Sequence, residues 1–177
     1  MKLNTRIVAT TLWLTFSTGV AVAAPSIDVG FSPEGSALKL VLSTLDDARE
    51  NIRLMGYSFT SPEIVKSLVA AKRRGVDVRV VVDENGNRSK ASQSAMNVIV
   101  NAGIPLRTNG QYKIMHDKVI ISDDQNVELG SFNYSRSAAD SNSENALVVR
   151  GMPALAQTYL VHWQSRWNGG KDWQSTY

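Results

Sequence analysis

The alternation of strand-like and helix-like segments along residues 26–177 is the feature that most constrains the fold of this chain. The run VDVRVVVD at residues 76–83 is rich in β-branched residues, whereas Leu38, Val41 and Leu45 recur at helical spacing. Along the chain the predicted order is β-α-β-α-β-α-β-β-β-α-β-α. This order predicts an α/β fold, with a mixed, largely parallel β-sheet flanked by helices on both faces in a single domain.

The boundaries of these segments follow from the same periodicities and from helix start and stop signals. Ser61 and Pro62 are predicted to begin one helix as N-cap and first helical residue, and Gly75 to end it. The predicted strands cover residues 27–31, 51–59, 76–83, 104–108, 115–122, 126–130 and 146–150. The predicted helices cover residues 35–50, 61–74, 91–102, a short segment near 133, and 153–167, and the tail at 169–177 is predicted to be a loop.

The N-terminus has the three parts of a secretory signal peptide. Lys2 and Arg6 give a positive start, residues 7–20 are mostly apolar, and residues 21–23 (AVA) form a small-x-small cleavage signal. We therefore expect residues 1–23 to be cleaved, leaving a periplasmic or secreted domain at residues 24–177 without stable membrane insertion. The alternative is an uncleaved membrane anchor, for which the segment is short and rich in hydroxyl groups.

Net charge does not identify a binding partner for this chain. The formal charge is +3 for all 177 residues, and it falls to +1 once Lys2 and Arg6 leave with the signal peptide. Any basic surface for a polyanion must therefore come from the placement of individual side chains. The chain has no cysteine, so disulfides are excluded and packing must supply its stability.

The stretch MHDKVIISDDQNVELGSFNYS, which begins at Met115, combines several groups suited to a phosphate. Side chains alternate between the faces of a strand, so His116 and Lys118 are predicted to lie side by side, with Asp123 on the opposite face. An imidazole next to an ammonium group favours a bound anion. Asp123 is interpreted as a brace for the strand or its turn.

A second group of candidate residues follows where the next strand ends. Gly130 permits a close backbone approach, and Ser131 and Asn133 supply neutral hydrogen-bond donors. A short helix near residue 133 would add free backbone N–H groups, completing a phosphate cradle that requires no metal ion. Taken singly, the residues have simpler explanations: helix capping for Ser131 or Asn133, a structural role for the histidine, and solvation for the lysine.

The segments HDKVIISD and GSFN resemble the H-x-K-x4-D and G-S-x-N signature of the phospholipase D superfamily. Their flanks, IMHDK and ELGSFNYS with SENALVV downstream, are similar to the small, exported, single-motif bacterial endonucleases of that superfamily. The resemblance extends over nearly the whole chain after the signal peptide. It implies the α/β fold of the superfamily and its phosphodiesterase activity.

This resemblance also implies covalent catalysis without a cofactor. His116 would attack phosphorus and form a phosphohistidine, which water would then hydrolyse. Lys118, Ser131 and Asn133 would bind the phosphate oxygens, and Glu144 in SENALVV would orient the histidine. The simpler explanation for Glu144 is an exposed charge at a strand edge.

The mechanism needs a second group for proton transfer, and the chain has only two histidines. His162 lies beside Trp163 and four residues before Trp167, a spacing that favours packing over proton donation. We therefore expect a two-fold homodimer, as in the small nucleases that the chain resembles. Its composite site would use His116 of one subunit as nucleophile and His116 of the other as general acid.

Three functions are compatible with these residues. The first is a sequence-nonspecific endonuclease for DNA, with RNA as a further substrate, in which Arg88 and Lys90 contact phosphates outside the reaction centre. The second is a phospholipase D acting on phospholipid head groups. An apolar rim facing the membrane would support this function. The third is a nucleic-acid-binding module without catalysis. Binding of nucleic acid without cleavage would support this function.

Two further sets of residues carry weaker signals. No histidine or cysteine cluster has metal-ligand spacing and the Asp123-Asp124 pair is a weak ligand set, so no metal is expected. Four aromatic residues are candidates for stacking on bases, with core packing as the simpler explanation. These are Tyr57, Phe59, Tyr112 and Phe132.

Overall fold

The structure, a computed structural model, describes residues 24–177; the predicted signal peptide, residues 1–23, lies outside the described residues. The strands are β1 Ser26–Ser32, β2 Asn51–Gly56, β3 Asp77–Asp83, β4 Leu106–Asn109, β5 Lys118–Ser122, β6 Asn126–Gly130, β7 Glu144–Arg150 and β8 Lys171–Asp172. The helices are α1 Ser36–Asp47, α2 Pro62–Arg73, α3 Lys90–Asn101, α4 Arg136–Asp140 and α5 Pro153–Asn168, with a 3-10 turn at Asn85–Asn87.

The strands form one mixed sheet in the order β1-β7-β6-β5-β2-β3-β4-β8, which confirms the predicted α/β fold. The expectation of a largely parallel sheet was wrong, because only the β2–β3 and β3–β4 pairings are parallel. The other five pairings are antiparallel. Parallel neighbours require a long crossover, whereas a tight turn joins β5 to β6 and the short α4 segment joins β6 to β7.

Two apolar layers confirm that helices cover both faces of the sheet. On β2, Ile52 and Leu54 point into the larger layer beneath α1, α2 and α3, and Met55 points into the smaller layer beneath α5. All three side chains are fully buried, and each contributes about 1.5–3 kcal/mol to stability by leaving water. The larger layer also includes Phe132 and Tyr134, so the GSFN segment is packed into the core.

The helix boundaries follow local signals in the sequence. The predicted N-cap of α2 is confirmed, since Ser61 Oγ accepts a hydrogen bond from the backbone N–H of Ile64 at 3.3 Å and Pro62 is the first helical residue. The tail was predicted to be a loop, but it includes the two-residue strand β8, which pairs with β4. No helix within residues 24–177 is long and apolar enough to cross a membrane.

Strand direction explains why residues distant in sequence meet at one edge of the sheet. The pairings make β1, β2, β3, β4 and β6 run one way and β5 and β7 the other. The carboxyl ends of the first group therefore lie beside the amino ends of β5 and β7. This edge, called the upper edge below, collects His116 before β5, Ser131 after β6, and Glu144 at the start of β7.

Candidate active site

His116 and Lys118 lie together at the upper edge, both against the ring of Tyr57. The centroids of the His116 and Tyr57 rings are 4.8 Å apart with a tilt of 60°, and Lys118 Nζ lies 5.5 Å from the Tyr57 centroid. Lys118 Nζ also donates a hydrogen bond to the backbone carbonyl of His116 at 3.0 Å. The predicted strand 115–122 begins only at Lys118, so His116 is in the preceding loop, where its ring is exposed.

Lys118 is a buried cation, with 7% of the residue exposed. Burial lowers the pKa of its ammonium group, while the nearby carboxylates of Glu144 and Asp117 oppose that change. A buried positive charge is costly unless an anion compensates it. The site is therefore electrostatically suited to a phosphate placed between Lys118 and His116.

Ser131 and Glu144 form the neighbouring part of the site. Ser131 Oγ donates to Glu144 Oε2 at 2.5 Å, and Asn142 Nδ2 donates to Glu144 Oε1 at 2.9 Å. Both carboxylate oxygens are thus occupied, and within residues 24–177 neither is hydrogen-bonded to His116. The role of Glu144 in orienting His116 stays a prediction. Its carboxylate accepts a hydrogen bond from Ser131, and its negative charge also favours the charged form of Lys118.

The segment after β6 differs from the predicted phosphate cradle in one respect. The backbone N–H groups of Ser131 and Phe132 both donate to the carbonyl of Asn145, at 3.1 and 3.2 Å, so they are not free for a ligand. The short helix begins at Arg136 rather than near residue 133, because Ser135 caps it. The expectation of free helix N–H groups next to Ser131 was therefore wrong, and phosphate binding by the Ser131 and Asn133 side chains stays a prediction.

Gly130 and Asn133 occupy constrained positions on either side of Ser131. A Cβ atom at Gly130 would overlap the carbonyl group of Asn145 on β7, so this close approach requires glycine. Asn133 Oδ1 is buried and has no hydrogen-bond partner in the part of the chain that the structure describes. An unpartnered buried amide oxygen is unfavourable, which makes Asn133 available for a donor supplied by the site.

Asp123 lies at the opposite end of β5 from His116. Its carboxylate accepts hydrogen bonds from the backbone N–H groups of Arg49, Glu50 and Asn51, at 3.0, 2.8 and 3.1 Å. Asp123 and Asp124 have φ angles of 54° and 53°, as the two central residues of a tight hairpin turn require. Asp123 thus ties the β5–β6 turn to the start of β2 and does not reach the upper edge.

Two residues that position the His116 loop were missed from the sequence. Asp83 is fully buried at the end of β3, and its Oδ2 accepts the backbone N–H of Met115 at 2.7 Å. Asn87 donates through Nδ2 to the carbonyl of Tyr57 at 2.7 Å. The available signal was their place at and just after the carboxyl end of the parallel strand β3, since ligand sites of α/β sheets occur at such ends.

A buried acid supports the Ser131 segment from below. Tyr134 donates through its hydroxyl to Glu128 Oε2 at 3.0 Å, and both side chains are fully buried. Burial raises the pKa of Glu128 to about 8, although the hydrogen bond from Tyr134 acts in the opposite direction. The carbonyl of Tyr134 also accepts the N–H groups of Thr60 and Ser61, both at 2.9 Å, which fixes this segment against the end of β2.

The second histidine lies on α5 and contacts the residue that follows His116. Asp117 points towards α5, and its Oδ1 lies 3.0 Å from His162 Nε2. Trp163 and Trp167, on the same helix, stack at 5.1 Å between ring centroids and are buried. His162 is thus held by Asp117, and its assignment as a structural residue stays a prediction.

Arg88 and Lys90 follow β3 at the upper edge. Arg88 Nη2 lies 3.7 Å from Glu84 Oε1 with 71% of the Arg88 side chain exposed, and Lys90 is the exposed first residue of α3. Their contact with a nucleic acid stays a prediction. Within residues 24–177, no group of three or more histidine, cysteine, aspartate or glutamate side chains is arranged to hold a metal ion.

Comparison with known proteins agrees with this arrangement. Residues 41–167 match the family described as "Cardiolipin synthase, PLD-like domain", a range that includes every catalytic candidate from His116 to Glu144. The chain belongs to the phospholipase D superfamily. The crystal structure of Nuc from Salmonella typhimurium, a phospholipase D family member, is 58% identical with a TM-score of 0.85 over 86% of this chain and 100% of that one.

Curated members of the superfamily are more distant. Phospholipase D of Rickettsia bellii is 33% identical over 136 residues, which is 77% of this chain and 66% of that protein. Human mitochondrial cardiolipin hydrolase is 31% identical over 141 residues, which is 75% of this chain and 55% of that protein. The chain thus matches about two thirds of the length of the first relative and about half of the second.

Proposed function

We propose that this protein is a metal-independent phosphodiesterase that cleaves DNA, with RNA as a further substrate, without sequence preference. The observation that carries the proposal is an exposed His116 imidazole next to the buried ammonium group of Lys118. A nucleophile requires a ring nitrogen that is accessible and not engaged in a hydrogen bond. Within residues 24–177, no hydrogen bond involves the ring of His116, and the similarity to Nuc supports the nuclease activity.

The reaction proceeds through a phosphohistidine. A ring nitrogen of His116 attacks phosphorus, a P–N bond forms, and the bond from phosphorus to the leaving oxygen breaks as that oxygen takes a proton from a general acid. Lys118, Ser131 and Asn133 stabilise the additional negative charge on the phosphate oxygens. Water then attacks phosphorus, breaks the P–N bond and gives its proton to the group that acted as acid.

The general acid is His116 of a second subunit in this proposal. His162 is directed to Asp117 on the α5 side of the sheet, so one chain supplies a single free imidazole at the upper edge. An apolar stripe on the edge strand β1 supports the homodimer, because Ile27, Val29 and Phe31 are 63%, 53% and 54% exposed. This stripe ends beside Ser32, which pairs with Glu144 of the site. A second subunit that covers the stripe would therefore approach the upper edge.

The homodimer is tested by sedimentation and plasmid cleavage of a Phe31→Glu variant. A charge in the stripe is expected to give monomers and to lower cleavage at least about 10-fold, because each composite site would lose its acid. Val98→Glu on α3 is the control, since Val98 is 44% exposed on the other face of the sheet. A wild-type monomer with full activity would contradict the composite site.

A phospholipase D activity is the second candidate. Curated relatives are named phospholipase D and cardiolipin hydrolase. A groove of about 650 Å³ between α2 and α3 has an apolar lining that includes Val65, Val69 and Val98, as an acyl chain would require. The nuclease is favoured because identity to Nuc is 58% over nearly the whole described chain, against 33% to the phospholipase D of Rickettsia bellii.

The two functions are separated by parallel assays of purified residues 24–177 in excess chelator. Plasmid nicking that is lost in His116→Ala and kept in His162→Ala supports the nuclease. Release of choline from phosphatidylcholine without nicking supports the lipase. Complete loss of activity in chelator, restored by a divalent metal, contradicts the histidine mechanism, and tight DNA binding without turnover supports a non-catalytic module.

We also propose that residues 1–23 direct export and are then removed. The support is the signal-peptide pattern of the sequence. N-terminal sequencing of the protein from a periplasmic extract is expected to begin at Ala24. An intact Met1 in the membrane fraction would support the anchor instead.

A further inference from the structure

The loop that leads into His116 leaves two large apolar side chains in solvent at the mouth of the site. Tyr112 is 38% exposed and Ile114 is 50% exposed. Both line a cavity of about 320 Å³ whose wall also includes His116. The remaining lining residues are Met115, Asp117 and Arg166.

Arg166, from α5, supplies the positive charge of this cavity. Its guanidinium carbon lies 4.9 Å from the centroid of the Tyr112 ring. Its Nη1 donates to Ser165 Oγ at 2.7 Å, whereas Nε is buried, lies 4.0 Å from Asp117 Oδ2, and has no hydrogen-bond partner within residues 24–177. The cavity thus combines an aromatic ring with a cation next to the reactive imidazole.

A second arginine–aromatic pair shows what a purely structural stack looks like in this chain. Arg107 lies over Trp167 at 4.5 Å, and Trp167 is 9% exposed. Arg107 also bonds Asp172 at 2.7 Å and the carbonyl of Trp167 at 3.1 Å, so its donors have protein partners. The Tyr112–Arg166 pair differs in both respects, since its ring is exposed and its buried Nε donor is unpartnered.

We propose that the Tyr112–Arg166 cavity binds an unpaired nucleobase of the nucleotide next to the scissile phosphate. This inference rests on the proposed nuclease function and specifies how that site holds its substrate. Arg166 covers one face of the Tyr112 ring, and the exposed surface of the ring stacks on the base, which tolerates any sequence because every base has a π-face. The charge of Arg166 attracts the adjacent phosphate and strengthens the stack.

The test compares two oligonucleotides with equal charge in a His116→Ala background, where no cleavage consumes the probe. One is a short oligothymidylate, and the other has the same length with abasic tetrahydrofuran units in place of every nucleotide. Fluorescence anisotropy at one salt concentration measures both affinities for Tyr112→Ala and Tyr112→Phe. The abasic strand also reports folding, because its phosphate contacts do not involve the ring.

Tyr112→Ala is expected to weaken oligothymidylate binding about 10-fold and to leave abasic binding within about twofold. Tyr112→Phe keeps the ring and is expected to retain both affinities. Unchanged oligothymidylate affinity in Tyr112→Ala, or equal losses on the two strands, overturns the subsite while plasmid cleavage by the wild type still supports the nuclease. A wild type that neither cleaves plasmid nor binds either strand overturns the nuclease and the subsite together.

Discussion

The loop that carries His116 and the helix that carries His162 give the two histidines of this chain opposite surroundings. His162 contacts Asp117 at 3.0 Å on a helix whose tryptophans pack in the core. His116 is exposed to solvent, and its ring contacts the ring of Tyr57 beside the ammonium group of Lys118. Asp117 follows His116 in the sequence and holds His162, so the segment before β5 contacts α5 through one residue and exposes a free imidazole through the other.

Removing each imidazole in turn is expected to give the largest difference between the two histidines. His116→Ala is expected to lower the rate of plasmid cleavage at least about 10⁴-fold, because no other group of the site forms the P–N bond. His162→Ala, the matched control, is expected to stay within about threefold of the wild type. Equal losses in both variants, measured as initial rates, would mean that His162 takes part in the chemistry.

A second test concerns the buried acid beneath the His116 side of the sheet. Burial raises the pKa of Glu128 to about 8, well above its ordinary value, so the folded protein holds this proton more tightly than the unfolded chain. Its contribution to stability is therefore complete below pH 4.5 and declines as pH rises towards 8, by on the order of 4 kcal/mol. Glu128→Gln is expected to remove this decline in denaturant unfolding measured at pH 5 and pH 8.

The control for that test is Tyr134→Phe, which deletes the hydrogen bond to Glu128 but keeps the buried carboxyl group. Its free energy of unfolding should still fall between pH 5 and pH 8. A Glu128→Gln variant with the same decline as the wild type would show that another group titrates.

The charge of Lys118 is a single donor beside His116 whose contribution can be removed alone. Lys118→Gln is expected to reduce kcat about 10²- to 10³-fold, because one charge-assisted contact to the phosphate is lost in the transition state. Lys171→Gln is the control, since Lys171 is exposed on the edge strand β8 and is not part of the proposed site. A change confined to KM in Lys118→Gln would assign Lys118 to binding alone.

The smallest expected effect follows from cutting the contact between Asp117 and His162. Asp117→Asn is expected to lower the free energy of unfolding by about 1 kcal/mol, as for one partly exposed hydrogen bond. Cleavage should stay within about threefold of the wild type. A much larger loss of kcat with unchanged stability would mean that this pair positions His116 as well as packing α5.

Local sequence patterns were sufficient to predict most helices and strands, but they did not predict how the strands pair in the sheet. Helix α2 begins at Pro62 behind the Ser61 cap as predicted, because capping is decided within one turn. The pairing of β1 with β7 rather than with β2 depends on contacts between residues more than one hundred positions apart, which no local spacing encodes. The position of α4 was missed because two serines and an asparagine competed as its cap and Ser135 prevailed.

The chemical groups of the candidate site were recognisable from the spacing of His116, Lys118, Ser131 and Asn133 and from the family resemblance of these segments. Which of these groups meet depends on how the strands pair. Antiparallel pairing of β5 and β7 with their neighbours brings Glu144 onto Ser131, and the parallel pairing of β2 with β3 places Asp83 beneath the His116 loop. Hydrogen bonds between strands act across space, so these contacts exist only once the sheet has formed.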